Sequence, residues 1–237
     1  ELIVPTDKIK DLFINKYNII KQVNVIPTGI DIDKFKITPS MKKNIQTIKN
    51  KYKIKDTDFI IGSVGRIAPE KSFDKLFYNI KDMIKVNTNI KVLLVGGGPD
   101  LDNLKELTKK LNLENYVIFT DKIDYELVPT YFNIFNVVVS FSKTETQGLT
   151  IIEGLAASKP TLCIEDDSFR SMIEPNYNGY LFKNDTEFKD YIFKLMNDQK
   201  LYKDMSTNAR NSTYKYSKEV FAADILKVYH KAIENKH

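Results

Sequence analysis

The stretch "VVVSFSKTETQGLTIIEGLAAS" occupies residues 137–158 and passes from an apolar run into a helical pattern. Its first three valines show no polar alternation, which is typical of a parallel strand that is covered on both faces. In the polar turn that follows, Glu145 precedes Gly148, and Glu153 lies eight positions after Glu145. The stretch therefore predicts a strand that leads into a helix, with two carboxylates near the junction.

Apolar runs of the same kind recur along the chain, and most are followed by a segment with helical spacing. The predicted strands lie at 59–64, 91–96, 116–120, 136–141, 161–164 and 180–182. The predicted helices lie at 73–85, 101–112, 124–134, 148–158 and 168–173. Repeats of this length indicate right-handed strand–helix–strand units. The predicted fold class is therefore α/β, a doubly wound parallel Rossmann-like sheet with flanking helices.

The two ends of the chain differ from this central pattern. Residues 1–26 predict a strand, a helix and a strand, and PTGID at 27–31 has the composition of a turn or linker. Residues 185–236 predict two or three amphipathic helices. We expect three units, at 1–26, 27–200 and 201–237.

Composition narrows the class of protein. The chain has 237 residues, of which 42% are hydrophobic and 28% are charged, as in a soluble globular protein. The opening ELIVPTDKIK has neither initiator Met nor secretory signal, so we expect a piece of a longer cytoplasmic protein. The single cysteine, Cys163, excludes an internal disulfide, and its apolar surroundings predict a buried strand thiol rather than a nucleophile.

The positive charge is concentrated near the amino end. Residues 1–56 hold 12 Lys against 6 acidic residues, a net charge of +6, whereas the rest of the chain has a net charge of −1. The densest segment, 41–55, places Ile45, Ile48 and Tyr52 at helical spacing with lysines on the other faces. It has two interpretations, a solvated helix resting on the core and a surface that meets anionic lipid.

Polar and glycine residues follow the predicted strands at the edge where doubly wound sheets bind ligands. Gly65, Arg66 and Lys71 follow the first central strand, and GGGP at 96–99 follows the second. A guanidinium and an ammonium suit a phosphate, although either could instead form a salt bridge with Glu70. The glycines could bring backbone close to a ligand or merely end a strand, and they do not form the GxGxxG of dinucleotide-binding proteins.

The start of the helix within 137–158 offers a second anion site. The amides of Gly148, Leu149 and Thr150 would be unpaired first-turn donors, aided by the helix dipole. Glu145 and Glu153 could each accept hydrogen bonds from vicinal hydroxyls. Together with the two cations, these groups would suit a nucleotide-sugar. The alternative is a capping acid at Glu145 and a solvent-facing Glu153.

Five motifs along the chain carry a family resemblance. They are PTGIDIDKF (27–35), GRIAPEKSFDKL (65–76), VLLVGGGP (92–99), SKTETQGLTIIEGLAASKP (142–160) and NGYLF (178–182). In order and spacing they resemble the carboxyl-terminal half of the retaining glycosyltransferases of family 4, which have the GT-B fold. The E-x7-E hallmark of that family is met by Glu145 and Glu153.

The resemblance implies a role for each matching residue. Arg66, Lys71 and Glu145 would be catalytic. The two cations would contact the donor diphosphate, and Glu145 would bind hydroxyls of the transferred sugar. Glu153 would bind the ribose. The other implied donor-binding residues are Gly65, Gly97, Gly98, Lys122, Ile123, Gly148, Leu149 and Thr150. No metal or other cofactor is expected, since the cations supply the positive charge, and DID at 31–33 lies in the linker.

The resemblance also implies a function for each unit of the chain. Residues 27–200 would form the nucleotide-sugar-binding domain, and 1–26 would be the remnant of an amino-terminal acceptor domain that is otherwise missing. This portion alone would therefore bind the sugar donor but transfer little or no sugar. In the family, a double glycine is common at the turn where this chain has Asp166 and Asp167, and a glycine is common at Asp121.

The chain looks most similar to bacterial glucosyltransferases that transfer glucose from UDP-glucose to diacylglycerol. That branch implies a hexosyltransferase peripheral to the inner face of the cell membrane, with residues 41–55 meeting the anionic surface. No nucleic-acid partner is expected. Two alternatives are a non-catalytic nucleotide-sugar-binding module and a family 4 transferase that acts on a polysaccharide or other glycan.

Overall fold

A computed structural model describes residues 1–234 of the chain. In chain order, its strands are β1 (Leu2–Val4), β2 (Val23–Val25), β3 (Phe59–Val64), β4 (Ile90–Val95), β5 (Val117–Phe119), β6 (Val137–Ser140), β7 (Thr161–Ile164) and β8 (Gly179–Phe182). Its α-helices are α1 (Asp7–Asp11), α2 (Pro39–Lys51), α3 (Phe73–Met83), α4 (Leu101–Lys110), α5 (Val128–Ile134), α6 (Leu149–Ala156), α7 (Asp167–Arg170), α8 (Asp185–Asn197), α9 (Gln199–Asn211) and α10 (Lys218–Glu234). A π-helical turn covers Leu12–Lys16, and 3₁₀ turns cover Ile32–Phe35, Pro69–Lys71, Tyr125–Leu127 and Tyr214–Tyr216.

Within these residues, six strands form one sheet in the order β5-β4-β3-β6-β7-β8, and every neighbouring pair is parallel. The chain builds outward from β3 to β5, returns to the centre at β6, and then builds outward to β8. The winding therefore reverses between β3 and β6, where Ile61 pairs with Val137. This order confirms the predicted doubly wound sheet, and the reversal leaves a crevice beyond the carboxyl ends of β3 and β6.

The strands of the central sheet are mostly apolar because both faces of the sheet are covered. Ile61 and Leu94 point into one core cluster with the side chains of α3 and α8. Ile60 and Leu93, one position away on the same strands, point into a second cluster with α5 and α6. Alternate residues of a strand face opposite sides, so a strand with two buried faces lacks the regular polar alternation of a half-exposed strand.

The predicted elements match the observed ones closely, and the differences have local causes. All six predicted central strands agree with the observed bounds to within one residue. Most of the predicted helices end earlier than predicted, because residues in left-handed backbone conformation follow several of them. The exception is α5, which ends at the predicted residue but begins four residues later, after the 3₁₀ turn Tyr125–Leu127. Lys53 follows α2, Asn112 follows α4 and Ser158 follows α6, with φ angles of 55°, 58° and 61°. Such residues cannot continue a right-handed helix.

The lysine-rich segment forms α2, which begins where Thr38 accepts a hydrogen bond from the Met41 amide. Its apolar stripe packs against the second core cluster, with Ile48 buried and Ile45 and Tyr52 partly buried. The observed helix therefore rests on the core with its lysine faces outward. Contact of those faces with lipid stays a prediction.

The amino-terminal segment confirms the predicted strand, helix and strand. β1 and β2 pair in parallel as a separate two-stranded sheet, with α1 and the π-helical turn between them. The linker after β2 is tied to the tail, since Ile30 bridges Ser217 and Lys218 pairs with Asp31 at 2.7 Å. The predicted domain boundaries at 26 and 200 stay predictions.

The tail helices are not one detached layer. Phe188 and Ile192 of α8 and Met205 of α9 are buried in the first core cluster, whereas α10 has Val228 as its buried residue and exposes Tyr229. The predicted tail extends through residues 235–237, which lie outside the described residues. Among the helices described, none has both the length and the apolar character to span a membrane.

We predict that Gly62→Ala destabilises the protein by about 1–3 kcal/mol, the usual cost of overpacking a core. A Cβ at this β3 position would lie 2.1 Å from Cγ of the Phe135 ring, which is buried and cannot move away freely. Urea unfolding of Gly62→Ala and of Gly62→Ala with Phe135→Leu measures the effect. The second substitution should recover part of the loss, and equal stability of Gly62→Ala and the unsubstituted chain would contradict the packing argument.

Candidate functional site

A cleft of about 560 Å³ lies at the crevice where the winding of the sheet reverses. Its walls come from the segments that follow β3, β4 and β5 and from the first turns of α6. The lining residues include Gly65, Arg66, Gly96, Gly97, Lys122, Ile123, Tyr125, Val128, Leu149, Thr150 and Glu153. Most residues predicted for donor binding therefore lie around one cavity, although they come from four separate stretches of sequence.

A narrower pocket adjoins this cleft and holds the remaining predicted charges. Lys71 and Glu145 line it, and Arg66 and Thr150 line both the pocket and the cleft. The two cations and Glu145 therefore converge on the amino-terminal end of α6, and Glu153 lies further along the same helix. Such an end carries partial positive charge and unpaired amide donors.

Lys71 and Glu145 form an ion pair across the pocket. The side chains are only 27% and 19% exposed, so water screens the pair less than it screens an ion pair on the surface. The alternative expectation of a salt bridge to Glu70 is wrong for Lys71. Among the ion pairs found within residues 1–234, none involves Arg66 or Glu70, and Arg66 is exposed at the lip of the cleft.

Gly148 is the N-cap residue of α6, and its backbone is left-handed with φ +72° and ψ +52°. Among residues 1–234, no side chain caps this end, so the alternative expectation of a capping acid at Glu145 is wrong. The Gly148 carbonyl accepts a hydrogen bond from the Ile151 amide at 2.9 Å. A Cβ at Gly148 would lie 2.9 Å from the buried Phe169 ring, so a glycine suits this position both sterically and conformationally. Leu149 and Thr150, the first residues of α6, consequently line the cleft, and their amides have no side-chain partner in the described part of the chain.

Glu153 is half-buried in the cleft wall rather than exposed, which makes the alternative expectation of a solvent-facing side chain wrong. Burial raises the pKa of its carboxyl from 4.5 to about 7. In the folded protein without ligand, the carboxyl is therefore only partly ionised near neutral pH. Burying a carboxylate in such surroundings destabilises the folded protein. A role in ligand binding would explain why the residue is an acid in spite of that cost.

The glycine-rich turn after β4 packs against the loop that carries Arg66. A Cβ at Gly96 would lie 2.0 Å from the Gly65 carbonyl oxygen, and a Cβ at Gly98 would lie 2.0 Å from the Ile67 carbonyl oxygen. The Ile67 amide also donates to the Gly97 carbonyl at 3.0 Å. Gly97 lines the cleft, while Gly98 lies outside the lining and against Ile67. The contribution of each glycine to donor binding stays a prediction.

Three residues of the site were not singled out by the sequence. Tyr125 and Val128 line the cleft, and the aromatic ring soon after a predicted strand is the one available signal for Tyr125. Gln147 is buried, accepts from the Thr28 amide at 3.1 Å and donates to the Thr28 carbonyl at 3.3 Å. It thereby fastens the linker to the Glu145 loop, a contact between positions 119 residues apart that no local pattern signals.

The remaining predictions concern metal binding and the cysteine. Asp31 accepts a hydrogen bond from Lys218 at 2.7 Å, which lowers the pKa of its carboxyl, and Asp33 pairs with Arg210 at 2.9 Å. No group of three metal-ligating side chains occurs in the described part of the chain. Metal-independence stays a prediction. Cys163 is buried in β7, as predicted, and burial followed by the charge of Glu145 raises the pKa of its thiol.

We predict that Glu153→Gln stabilises the protein more at pH 8 than at pH 5. Because the folded pKa is raised to about 7, the folded state binds the proton more tightly, and stability falls as pH rises from 4.5 to 7. The glutamine side chain does not titrate, so Glu153→Gln avoids this loss. The difference in free energy of unfolding between Glu153→Gln and the unsubstituted chain should therefore grow by about 1–3 kcal/mol over that interval. Urea unfolding at both pH values measures the effect.

The matched control is Glu126→Gln, because its side chain is 74% exposed. The free energy of unfolding of this variant should differ from that of the unsubstituted chain by the same amount at both pH values. A pH-independent effect of Glu153→Gln would contradict the assigned burial of the carboxyl.

A family comparison covers most of the chain. The family model described as "Glycosyl transferases group 1" matches residues 44–212. That range contains most of α2, the whole central sheet, and the residues that line the cleft from Val64 to Glu153. The match therefore includes the site as well as the fold.

Two curated relatives have the same name, alpha-monoglucosyldiacylglycerol synthase. The protein from Acholeplasma laidlawii is 32% identical over 228 residues, which is 96% of this chain and 57% of that protein. The protein from Streptococcus pneumoniae is 28% identical over 195 residues, which is 82% of this chain and 44% of that protein. The chain thus spans about half the length of the curated relatives it matches.

A solved structure has the same fold. The Anabaena protein HepE, crystallised in complex with UDP-glucose, superposes with a TM-score of 0.86 at 20% sequence identity. The superposition covers 97% of this chain and 63% of HepE. With the family match over 44–212, these comparisons show that the chain belongs to the glycosyl transferases group 1 family and that its fold is one half of a GT-B glycosyltransferase.

Proposed function

We propose that this chain is the donor-binding portion of a retaining hexosyltransferase that transfers glucose from UDP-glucose to a membrane lipid such as diacylglycerol. The observation that carries the proposal is the meeting of Arg66, Lys71 and Glu145 at the uncapped start of α6. Membership of the glycosyl transferases group 1 family supports sugar transfer as the class of reaction. Because the chain spans about half of its relatives, activity belongs to the longer protein.

The donor would lie across the crevice with its diphosphate at the start of α6. The Leu149 and Thr150 amides would donate to phosphate oxygens, and Arg66 would add a charged bidentate contact from the lip of the cleft. The ribose would lie further along α6, where Glu153 can accept hydrogen bonds from both hydroxyls. The base would lie near Lys122 and Ile123, beyond the end of β5.

The Lys71–Glu145 ion pair would rearrange when donor binds. A diphosphate brings two or more negative charges near Lys71, so the ammonium would turn from the carboxylate toward phosphate oxygen. Glu145 would then be able to accept hydrogen bonds from hydroxyls of the transferred sugar. The ion pair thus keeps two partly buried charges neutralised until a substrate replaces each partner.

The same cations would assist the reaction. When the bond between the sugar carbon and UDP breaks, negative charge develops on the departing diphosphate. Arg66 and Lys71 would stabilise that charge, a contribution made by preorganised groups whose orientation costs little during the reaction. This assignment involves no metal ion, and the carboxylates serve to hold hydroxyls rather than to act as the acid and base of a glycosidase.

The lipid acceptor is supported by two observations. Both curated relatives described above are named as synthases of a glucosylated diacylglycerol. In addition, α2 turns Lys42 and Lys43 outward on the most basic segment of the chain. An amphipathic helix with such a face could rest against anionic lipid headgroups, as expected of an enzyme peripheral to the inner face of the membrane.

We predict that Arg66→Ala weakens UDP binding by about 1.5–3 kcal/mol, or roughly 10- to 150-fold, because charge-assisted hydrogen bonds are lost. Glu153→Ala should also weaken binding, through the ribose hydroxyls. Isothermal calorimetry with UDP measures both. Arg170→Ala is the control, since Arg170 is exposed and pairs with Glu165 away from the cleft. Unchanged UDP affinity in Arg66→Ala or in Glu153→Ala would count against the nucleotide-sugar site.

We predict that Lys42→Glu combined with Lys43→Glu reduces binding to vesicles of equal parts phosphatidylglycerol and phosphatidylcholine. Each lysine near such a surface contributes about 1 kcal/mol, and added salt should weaken the binding further. Vesicle sedimentation measures the bound fraction. Lys109→Glu with Lys110→Glu, on exposed positions of α4, changes net charge equally and should have a smaller effect. Equal losses in the two variants would contradict a specific role of α2.

A further inference from the structure

The Glu145 loop, residues 142–148, contains no helix or strand, so its shape depends on contacts from neighbouring elements. Glu145 points its carboxylate to Lys71 on one side. On the other side, the loop's carbonyl groups accept hydrogen bonds from α1 and from the segment that begins α7. These contacts fix the backbone that presents Glu145 to the cleft.

Lys8 of α1 is the centre of these contacts. Its ammonium lies 3.3 Å from the Glu145 carbonyl oxygen and 3.4 Å from the Lys143 carbonyl oxygen. It also lies 2.8 Å from the Asp166 carboxylate and 3.0 Å from the Ser168 hydroxyl. All four partners are separated from Lys8 by at least 135 residues, so this single side chain joins the amino-terminal unit to two loops of the central domain.

Two further hydrogen bonds reinforce the same junction. Thr6, which is buried and precedes α1, donates from its hydroxyl to the Thr146 carbonyl at 2.8 Å. Ser168 donates from its hydroxyl to the Glu145 carbonyl. The carbonyl groups of Lys143, Glu145 and Thr146 are thereby anchored by residues outside the loop.

Asp166 completes the arrangement by holding Lys8 in place. Burial alone would raise the pKa of the Asp166 carboxyl, but hydrogen bonds from Lys8 and from Ser168 keep it below its ordinary value. The carboxylate also accepts the Ser168 amide at 2.9 Å, which caps α7. The Lys8 ammonium therefore has one charged partner and three neutral ones. The side chains of Lys8 and Asp166 are 30% and 15% exposed, so this ion pair is partly buried.

We propose that Lys8 is a positioning residue for sugar-donor binding, which orders the 142–148 loop from behind so that the Glu145 carboxylate meets the transferred sugar. The inference rests on the proposed function for the role of Glu145. It gives residues 1–26 a part in shaping the donor site, in addition to their predicted origin in the acceptor domain. Removing the ammonium would leave the Glu145 and Lys143 carbonyls without this donor, and the loop would sample other conformations.

The test compares Lys8→Met with Lys10→Met, a neutralisation on the same helix at a side chain that makes none of these contacts. Hydrogen–deuterium exchange should rise about tenfold at the amides of 142–148 in Lys8→Met and stay unchanged elsewhere in the central sheet. Calorimetry should give UDP-glucose binding about tenfold weaker, with UDP affinity changed less than about threefold, since UDP lacks the sugar. Lys10→Met should match the unsubstituted chain, and Lys8→Arg should recover most of the loss.

Lys8→Met removes the contacts of the ammonium and also leaves the Asp166 carboxylate without its ion-pair partner. A double variant distinguishes these two effects. Asp166→Asn keeps the cap of α7 and removes that charge. If the faster exchange of 142–148 persists in Lys8→Met with Asp166→Asn, the lost ammonium contacts are its cause. If it disappears, the unpaired carboxylate caused it and the proposal is overturned.

Other results would also overturn the proposal. These are unchanged exchange in Lys8→Met, equal effects of Lys10→Met, or equal weakening of UDP and UDP-glucose together with a lower unfolding temperature. If the unsubstituted chain bound neither ligand, the proposed function would fail. The exchange measurement would still decide whether Lys8 orders the loop, so the two failures are distinguishable.

Discussion

The site depends on the reversal of winding between β3 and β6. Parallel strands that follow one another on the same side of a sheet send their connections across the same face, and these cover the ends of the strands. At β3 and β6 the connections leave toward opposite faces, so a gap remains above the carboxyl ends. The loops with Arg66 and Glu145 border that gap because they directly follow these two central strands.

Charge in this gap costs stability, and the protein limits the cost in different ways. Lys71 and Glu145 neutralise each other across the narrow pocket. Arg66 stays exposed to water, which solvates its charge. Glu153 is half-buried and takes part in none of the ion pairs found within residues 1–234, and burial raises the pKa of its carboxyl to about 7. A buried carboxyl of this kind is understandable as part of a site whose ligand supplies the missing hydrogen bonds.

The loop that carries Glu145 joins the two ends of the described structure. Gln147 holds the linker, while Lys8 and Thr6 hold the loop from the amino-terminal unit. Lys218 in turn ties the tail to the linker through Asp31. A shift of the amino-terminal unit would therefore act directly on the backbone of the 142–148 loop, because these hydrogen bonds are partly buried.

The sequence by itself determined the layered architecture and identified most of the residues that line the cleft. Continuous apolar runs identified the buried parallel strands, and residues after those runs fell at one edge because parallel strands end together. Only the tertiary structure decided the ion pair of Lys71 with Glu145, the burial of Glu153 and the contacts of Lys8 and Gln147. Local periodicity reports which face of an element is apolar. It carries no information on polar partners that the fold brings together from positions 74 to 160 residues apart.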